Sequence, residues 1–245
     1  MKTGRTVLIT GAAGGMGAEF VRRFLDNGDA VVATDTSDEA LGALSSKLAS
    51  RLLRVQSADI TDESATTALT AFAAEQSGRV DVLVNVAGFF PVQPFIEMTA
   101  ADWRKIIDIN LTGTALMCKA VLPTMIGRGW GRIVNIGSAS IYSGVKGQAH
   151  YVAAKAGTIG LSRSLAREFG SEGITVNVVA PGVTITPSAK KALPQEIQDA
   201  AIKVRCLNRE EHAEDLVGTV FFLASPDADF ITGQTIIVDG GNEML

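Results

Sequence analysis

Residues 6–17 read T-V-L-I-T-G-A-A-G-G-M-G, and an amphipathic stretch from Ala18 to Asn27 follows. A short β-prone run, a glycine turn and a helix come in that order. Gly11, Gly15 and Gly17 suit tight turning and close backbone approach, and a helix N-terminus placed just beyond them suits a pyrophosphate. The spacing G-x-x-x-G-x-G departs from the usual G-x-G-x-x-G dinucleotide fingerprint. A bare glycine cluster is also an ordinary turn. The flanking strand and helix favour a nucleotide site, with Met16 inside the turn.

Reading on from that turn, Ala30–Thr34 is a second strand ended by Asp35. A carboxylate about 20 residues beyond the glycines is placed to bind a ribose 2′-hydroxyl and to repel a 2′-phosphate. The glycine turn has no Arg or Lys, and Thr36-Ser37 follow Asp35. The cofactor expected is NAD(H) rather than NADP(H). Asp35 also begins the T-D-T-S-D-E loop, where either it or Ser37 caps the next helix.

That helix is expected from about Glu39 to Ser50, and the third strand from Leu52 to Ser57. Asp59-Ile60 stand at the strand's carboxyl end. The near-continuous apolar run Val80–Val84 reads as a buried parallel strand, leading into Asn85-Val86-Ala87-Gly88. Small residues there let the adenosine half of a cofactor lie against the backbone. Phe89 and Phe90 are either packing residues or a substrate wall. A long helix then carries Asn110 among isoleucines and leucines, as a satisfied core amide or a catalytic one. Ile174–Val179 is a further strand, ended by Pro181-Gly182, and a helix at Ala213–Leu223 and a strand at Thr235–Val238 close the chain. Residues 187–208 are polar and weakly helical, and are expected to form a substrate lid. Strands alternate with helices and polar motifs follow the strands. The expected fold class is α/β: one Rossmann-like, doubly wound parallel sheet with helices on both faces, spanning 1–245.

Ser138–Lys155 reads S-A-S-I-Y-S-G-V-K-G-Q-A-H-Y-V-A-A-K. Tyr151 and Lys155 stand at i and i+4, on one helix face, where an ammonium favours the phenolate. Ser138 follows the strand-like R-I-V-N-I-G, placed to hold an oxygen while a proton moves. Y-x-x-x-K alone is weak, since most such pairs are a solvated helix face. The serine strengthens the functional reading. His150 is at most a residue of the pocket rim.

Composition bounds the rest. The 245 residues carry a net charge of −4 and 47% hydrophobic residues, which excludes a basic nucleic-acid-binding face. No apolar run approaches a membrane span, and the first residues leave no room for a signal peptide. Cys118 and Cys206 have no metal-type spacing and are expected as free thiols in a reducing cytoplasm; no metal is expected.

With these motifs placed, the chain resembles the single-domain short-chain dehydrogenase/reductase family over essentially its whole length. The matching motifs are Thr10-Gly11-x-x-x-Gly15-Met16-Gly17, Asp59-Ile60, Asn85-Val86-Ala87-Gly88 (the family's second Asn is Val86), Pro181-Gly182-Val183-Thr184-Ile185-Thr186, and the C-terminal I-T-G-Q-T-I-I-V-D-G-G. The catalytic set maps onto Asn110, Ser138, Tyr151 and Lys155. The resemblance implies that Ser138 hydrogen-bonds the substrate oxygen and that Tyr151 removes or donates the proton. It implies that Lys155 lowers the tyrosine pKa and holds the nicotinamide ribose. Asn110 would anchor a water linking Lys155 to solvent. Residues 181–186, with Val183, Thr184 and Thr186 among them, would contact the nicotinamide side. A cytoplasmic homotetramer built on the Trp103–Leu122 and Tyr151–Phe169 helices is expected from the family.

Within the family the reading is an NAD-dependent dehydrogenase of small aryl or cyclic secondary alcohols, with a pocket of Phe89, Phe90, Ile141, Val145 and Val183. A 3-oxoacyl-acyl-carrier-protein reductase is the alternative. It is disfavoured by Asp35, although Arg128 and Arg132 leave room for a docking patch. A non-catalytic dinucleotide sensor is the second alternative, disfavoured because Ser138, Tyr151, Lys155 and Asn110 are all present.

Overall fold

Val7, Leu8 and Ile9 are all fully buried, which a strand permits only when both faces of its sheet are covered. The computed structural model describes residues 4–192 and 194–244; the remaining positions, including 193 of the expected lid, lie outside the described residues. In chain order the elements are β1 (Thr6–Thr10), α1 (Gly15–Asp26), β2 (Ala30–Thr34), α2 (Asp38–Leu48), β3 (Leu53–Val55), α3 (Glu63–Ala74) and β4 (Val82–Asn85). Next come α4 (Ala100–Ile107), a π turn (Asp108–Thr112), α5 (Gly113–Met125), β5 (Gly131–Ile136), α6 (Ser140–Ser143) and α7 (Ala149–Phe169). The chain ends with β6 (Ile174–Pro181), α8 (Pro187–Ala192), α9 (Gln195–Val204), α10 (Ala213–Leu223) and β7 (Thr235–Val238).

Among the described residues all seven strands are parallel, in the order β3-β2-β1-β4-β5-β6-β7. The chain turns back between β1 and β4, so a crevice opens at their carboxyl ends. Side-chain alternation builds the two layers. Val7 and Ile9 pack with Phe20, Phe24, Leu41 and Phe221 of α1, α2 and α10. Leu8 points the other way, to Leu69, Met117 and Val121 of α3 and α5. Burying a side chain of this size contributes roughly 1.5–3 kcal/mol.

Several boundaries differ from the sequence expectations. α1 begins at Gly15, because the glycine turn itself winds into the first helical turn. β3 is only Leu53–Val55, and β4 starts at Val82. The expected continuous helix around Asn110 is interrupted by the π turn. The span Ala100–Met125 is long and apolar enough, by length and composition, to cross a membrane, contrary to the reading of the sequence. Its Ile106, Met117, Cys118, Val121 and Met125 are buried against the sheet and neighbouring helices, so it is a core helix.

The opposite, amino-terminal edge of the sheet is closed by buried arginines. Arg5 forks onto Asp29, with Nη2 2.6 Å from Oδ2, and Arg132 pairs with Asp229 and donates to the Gly173 carbonyl at 3.2 Å. Arg132 is 1% exposed, which removes it from the docking patch that the sequence left open.

Candidate active site

The glycine turn is shaped by backbone contacts. Gly11 has φ +60°, and a Cβ there would lie 2.7 Å from the Ala87 backbone. A Cβ on Gly17 would lie 2.2 Å from the Gly11 carbonyl oxygen. The Thr10 hydroxyl accepts the Val86 and Ala87 amides at 3.1 and 3.2 Å, pinning the end of β1 to the turn after β4. Gly14 caps α1 without a side-chain hydrogen bond, and the first turn holds no acid. The helix N-terminus therefore keeps its positive end for an anion, and these residues fit the pyrophosphate of a dinucleotide.

A cleft of about 810 Å³ runs along this edge. It is lined by Gly11, Gly15, Met16, Gly17, Asp35, Asp59, Ile60, Ala87, Gly88, Phe89, Phe90 and Thr186, twelve of the positions singled out from the sequence. Asp35 is half-buried, and its Oδ2 accepts the Ala13 amide at 3.2 Å. Ser37, not Asp35, caps α2, accepting the Ala40 amide at 3.1 Å. The Asp35 carboxylate is thus held at the lip of the cleft rather than spent on a helix. Asp59 accepts the amide and hydroxyl of Thr61 at 2.9 and 2.7 Å. Asn85 departs from the cofactor reading: its side chain turns into the core, donating to Asn135 Oδ1 at 2.9 Å, and Asn135 in turn donates to Ser162 at 2.9 Å. This chain of amides ties β4 to β5 and α7.

The catalytic candidates lie outside the cleft lining, behind Gly88 and Phe90 of its wall. Ser138 follows β5, and its Oγ lies 2.8 Å from Ser140 Oγ. The Ser138 side chain lies near that of Tyr151. Tyr151 stands one turn before Lys155 on α7, and its ring meets Phe90 edge-on, with centroids 6.3 Å apart. Lys155 is 4% exposed and donates to the Ile136 carbonyl at 2.8 Å. A Cβ on Gly88 would lie 3.5 Å from Lys155 Nζ and 2.8 Å from Asn110 Oδ1, so α7 and the π turn converge on this glycine.

Burial pushes the Tyr151 phenol up, partly offset by the neighbouring Ser138 hydroxyl, and pulls the Lys155 ammonium down to about 8. The direction of the phenol's shift is set by burial, which disfavours the phenolate. Asn110 is wholly buried. Its Oδ1 accepts the Phe89 amide at 3.2 Å, and its Nδ2 donates to the Phe89 and Ile106 carbonyls at 2.9 and 3.1 Å. Its side chain is the satisfied core amide. Its main-chain carbonyl, released by the π turn, accepts the Thr114 and Thr158 hydroxyls at 3.1 and 3.5 Å.

The substrate side is held by loop-to-loop bonds. Gln148 donates to the Phe90 carbonyl at 3.1 Å, and the Gln93 amide donates to the Gly147 carbonyl at 2.8 Å. Phe89 and Phe90 form the cleft wall. Ile141 and Val145 lie outside that lining, with Ile141 half-buried on α6 and Val145 exposed beyond it. Of residues 181–186 only Thr186 reaches the cleft. Pro181 ends β6 and accepts the Ala139 amide at 2.7 Å, while Gly182, Val183 and Thr184 face the segment after α9. His150 is not on a rim. It is fully buried, accepting the Tyr151 amide at 2.9 Å on Nδ1. Sequence reasoning missed Arg104, Lys105 and Ile109, which also line the cleft. Their helical spacing, one turn apart on α4 and the π turn, was the available signal.

Comparison with known proteins places this arrangement. Residues 11–243 match the family model described as enoyl-(acyl carrier protein) reductase. The chain is 40% identical to 2,3-dihydroxy-2,3-dihydro-p-cumate dehydrogenase of Pseudomonas putida, covering 99% of this chain and 95% of that protein. It is 38% identical to the (2S)-[(R)-hydroxy(phenyl)methyl]succinyl-CoA dehydrogenase subunit BbsD of Thauera aromatica, covering 98% and 97%. It is 37% identical to a 3-oxoacyl-acyl-carrier-protein reductase of Vibrio harveyi, covering 99% and 98%. A crystal structure from Brucella melitensis, a short-chain dehydrogenase/reductase titled glucose/ribitol dehydrogenase, superposes with a TM-score of 0.94 at 34% identity, covering 99% of this chain and 98% of that one. The glycine turn after β1, the Tyr–Lys helix beside β5 and these full-length matches lead to one conclusion: the chain belongs to the short-chain dehydrogenase/reductase family and is an oxidoreductase of that family.

Proposed function

We propose that the enzyme interconverts a small aryl or cyclic secondary alcohol and its ketone, using NAD(H), with Tyr151 as the acid and base. The observation that carries the reading is the gathering of Ser138, Tyr151 and Lys155 beside Phe90 and Gly88, two residues that line the cleft starting at the glycine turn. The α1 N-terminus would hold the pyrophosphate, Asp35 the adenosine ribose, and Thr186 the wall near the nicotinamide. The nicotinamide, when bound, supplies the hydride acceptor or donor. Ser138 donates a hydrogen bond to the substrate oxygen. Tyr151 gives that oxygen a proton in reduction and takes it in oxidation. With the phenol raised by burial, the protonated form dominates at neutral pH, which favours reduction there and oxidation in alkali.

The acidic lip at Asp35 and the aromatic wall at Phe89 and Phe90 support an NAD-linked alcohol dehydrogenase. So do the names of two relatives, which act on a cumate diol and a phenyl-bearing alcohol. Arg132 is buried at the opposite sheet edge, which weighs against a carrier-protein reductase. We further propose that α8 and α9 form the lid, since the chain passes from Thr186 on the cleft wall straight into them, and that α4–α5 and α7 build a cytoplasmic homotetramer.

The test is turnover of a panel of aryl, cyclic and short-chain secondary alcohols with NAD⁺, alongside Tyr151→Phe. The reading expects the aromatic and cyclic alcohols to lead. It also expects the variant to lose about 10²–10⁴-fold in kcat, the range of a general acid–base group, while its melting point stays within a few degrees. Full activity of Tyr151→Phe would remove the tyrosine from the mechanism.

A further inference from the structure

A buried ion pair lies just behind the cleft wall, away from the groups already assigned. Arg205, the residue that closes α9, and Glu211 are 7% and 4% exposed and meet at 3.3 Å. The pair grips the wall segment at several points. Thr184 Oγ1 donates to Glu211 Oε1 at 2.6 Å, and Arg205 Nη2 donates to the Val183 carbonyl at 2.9 Å. The Ile185 amide donates to the Glu211 carbonyl at 2.7 Å, and Arg205 Nη1 donates to the Arg209 carbonyl at 3.1 Å. Gly182 has no room for a side chain here, since a Cβ would lie 2.8 Å from Glu211 Oε2 and 3.1 Å from Arg205 Nη2. Four residues beyond Gly182, Thr186 stands over the glycine turn, where a Cβ on Gly15 would come within 2.8 Å of it.

Holding two loops together does not require charge. A buried ion pair pays desolvation that an apolar pair avoids, and its return is fixed geometry from the planar guanidinium fork. We propose that Arg205 and Glu211 are a positioning pair: they set the backbone of Gly182–Thr184, hold Thr186 over the glycine turn, and link that wall to the end of α9. The proposal rests on the dinucleotide reading above and adds that recognition of the nicotinamide end depends on this pair, whereas the adenosine end does not.

The test compares the affinities of NADH and of ADP-ribose, which lacks the nicotinamide, for the unaltered protein, for Glu211→Gln, and for Arg205→Met combined with Glu211→Leu. If the unaltered protein prefers NADPH, the 2′-phosphorylated ligands are used. The double variant removes both charges together, so a fold that needs only a filled interior survives it. The expected result is NADH binding weakened at least fivefold in both variants, with ADP-ribose within twofold of the unaltered protein. Should the double variant fail to fold, Glu211→Gln and Arg205→Lys carry the same comparison. Equal losses for both ligands would mark a merely structural pair, and unchanged NADH affinity would remove any role; either overturns the proposal alone. Failure of the unaltered protein to bind any of these ligands overturns the dinucleotide reading and this proposal with it.

Discussion

The two ends of the cleft are built from different materials. The adenosine end, at β1, β2 and α1, is made mostly of backbone, with the Asp35 carboxylate at its lip: glycines with no room for a Cβ, strand ends pinned by the Thr10 hydroxyl, and a helix N-terminus left open. The catalytic end, at β5, β6 and α7, is made of side chains, several of them ionisable: the buried Lys155, Arg205 and Glu211 and the half-buried Tyr151. Backbone geometry tolerates almost no substitution but carries no titration. Buried ionisable groups tolerate replacement structurally, yet each one couples stability to pH. The first end binds a shape common to many ligands, and the second is where one chemistry is selected.

Breaking the backbone end is expected to have the largest effect. Gly17→Ala would drive a methyl group into the Gly11 carbonyl from 2.2 Å, and backbone on both sides leaves nothing flexible to yield. A loss of about 3 kcal/mol or more in unfolding free energy is expected, the upper range for overpacking. The urea midpoint measures it, and a midpoint matching the unaltered protein would refute the contact.

At the catalytic end the expectation reverses. The Lys155 pKa is lowered from 10.5 to about 8 by burial, so the folded state holds fewer protons than the unfolded state between those values. Folding therefore carries a penalty below pH 8, on the order of 3 kcal/mol, that is relieved as pH rises towards 10.5. Lys155→Met removes the penalty along with the bond to the Ile136 carbonyl. Its stability relative to the unaltered protein should be greatest near pH 7 and should decline as pH rises to 10. A difference independent of pH would show that the ammonium is not desolvated.

The smallest effect belongs to a partly solvated ion pair outside the cleft lining, which serves as the control for both ends. Arg209 forks onto Asp215 at 2.7 and 2.6 Å, and the Asp215 carboxyl is held at about 2 instead of 3.8. The stabilisation is full above pH 3.8 and is lost as pH falls through about 2. With both side chains partly solvated, Asp215→Asn should cost about 0.5 kcal/mol at pH 6 and less at pH 3, by urea midpoints. An equal cost at the two pH values would assign the effect to packing.

Much of this was legible in the sequence because it is local. Strand–glycine–helix, Asp35 after β2, and the i, i+4 pair Tyr151 and Lys155 each state their geometry within a few residues. The bounds of α10 and β7 fell where the apolar pattern put them. What was not legible depends on distant partners. Nothing in D-I-N-L-T announces a π turn, whose freed Asn110 carbonyl is satisfied by a hydroxyl 48 residues away on Thr158. Asn85 is drawn to the cofactor by its family motif, but its amide finds Asn135, 50 residues on. His150 was placed at a rim by its neighbour Tyr151, although adjacent helix positions face different ways and its own face is core. The Arg205–Glu211 clamp joins two irregular segments, which carry no periodicity to read.

The central claim is that this cleft binds NAD(H) with Asp35 reading the ribose, and titration of the protein with NADH and with NADPH, followed by nicotinamide fluorescence, tests it most directly. The account predicts NADH bound at least tenfold more tightly, a difference of about 1.4 kcal/mol. Tighter binding of NADPH would contradict it and move the carrier-protein reductase into first place.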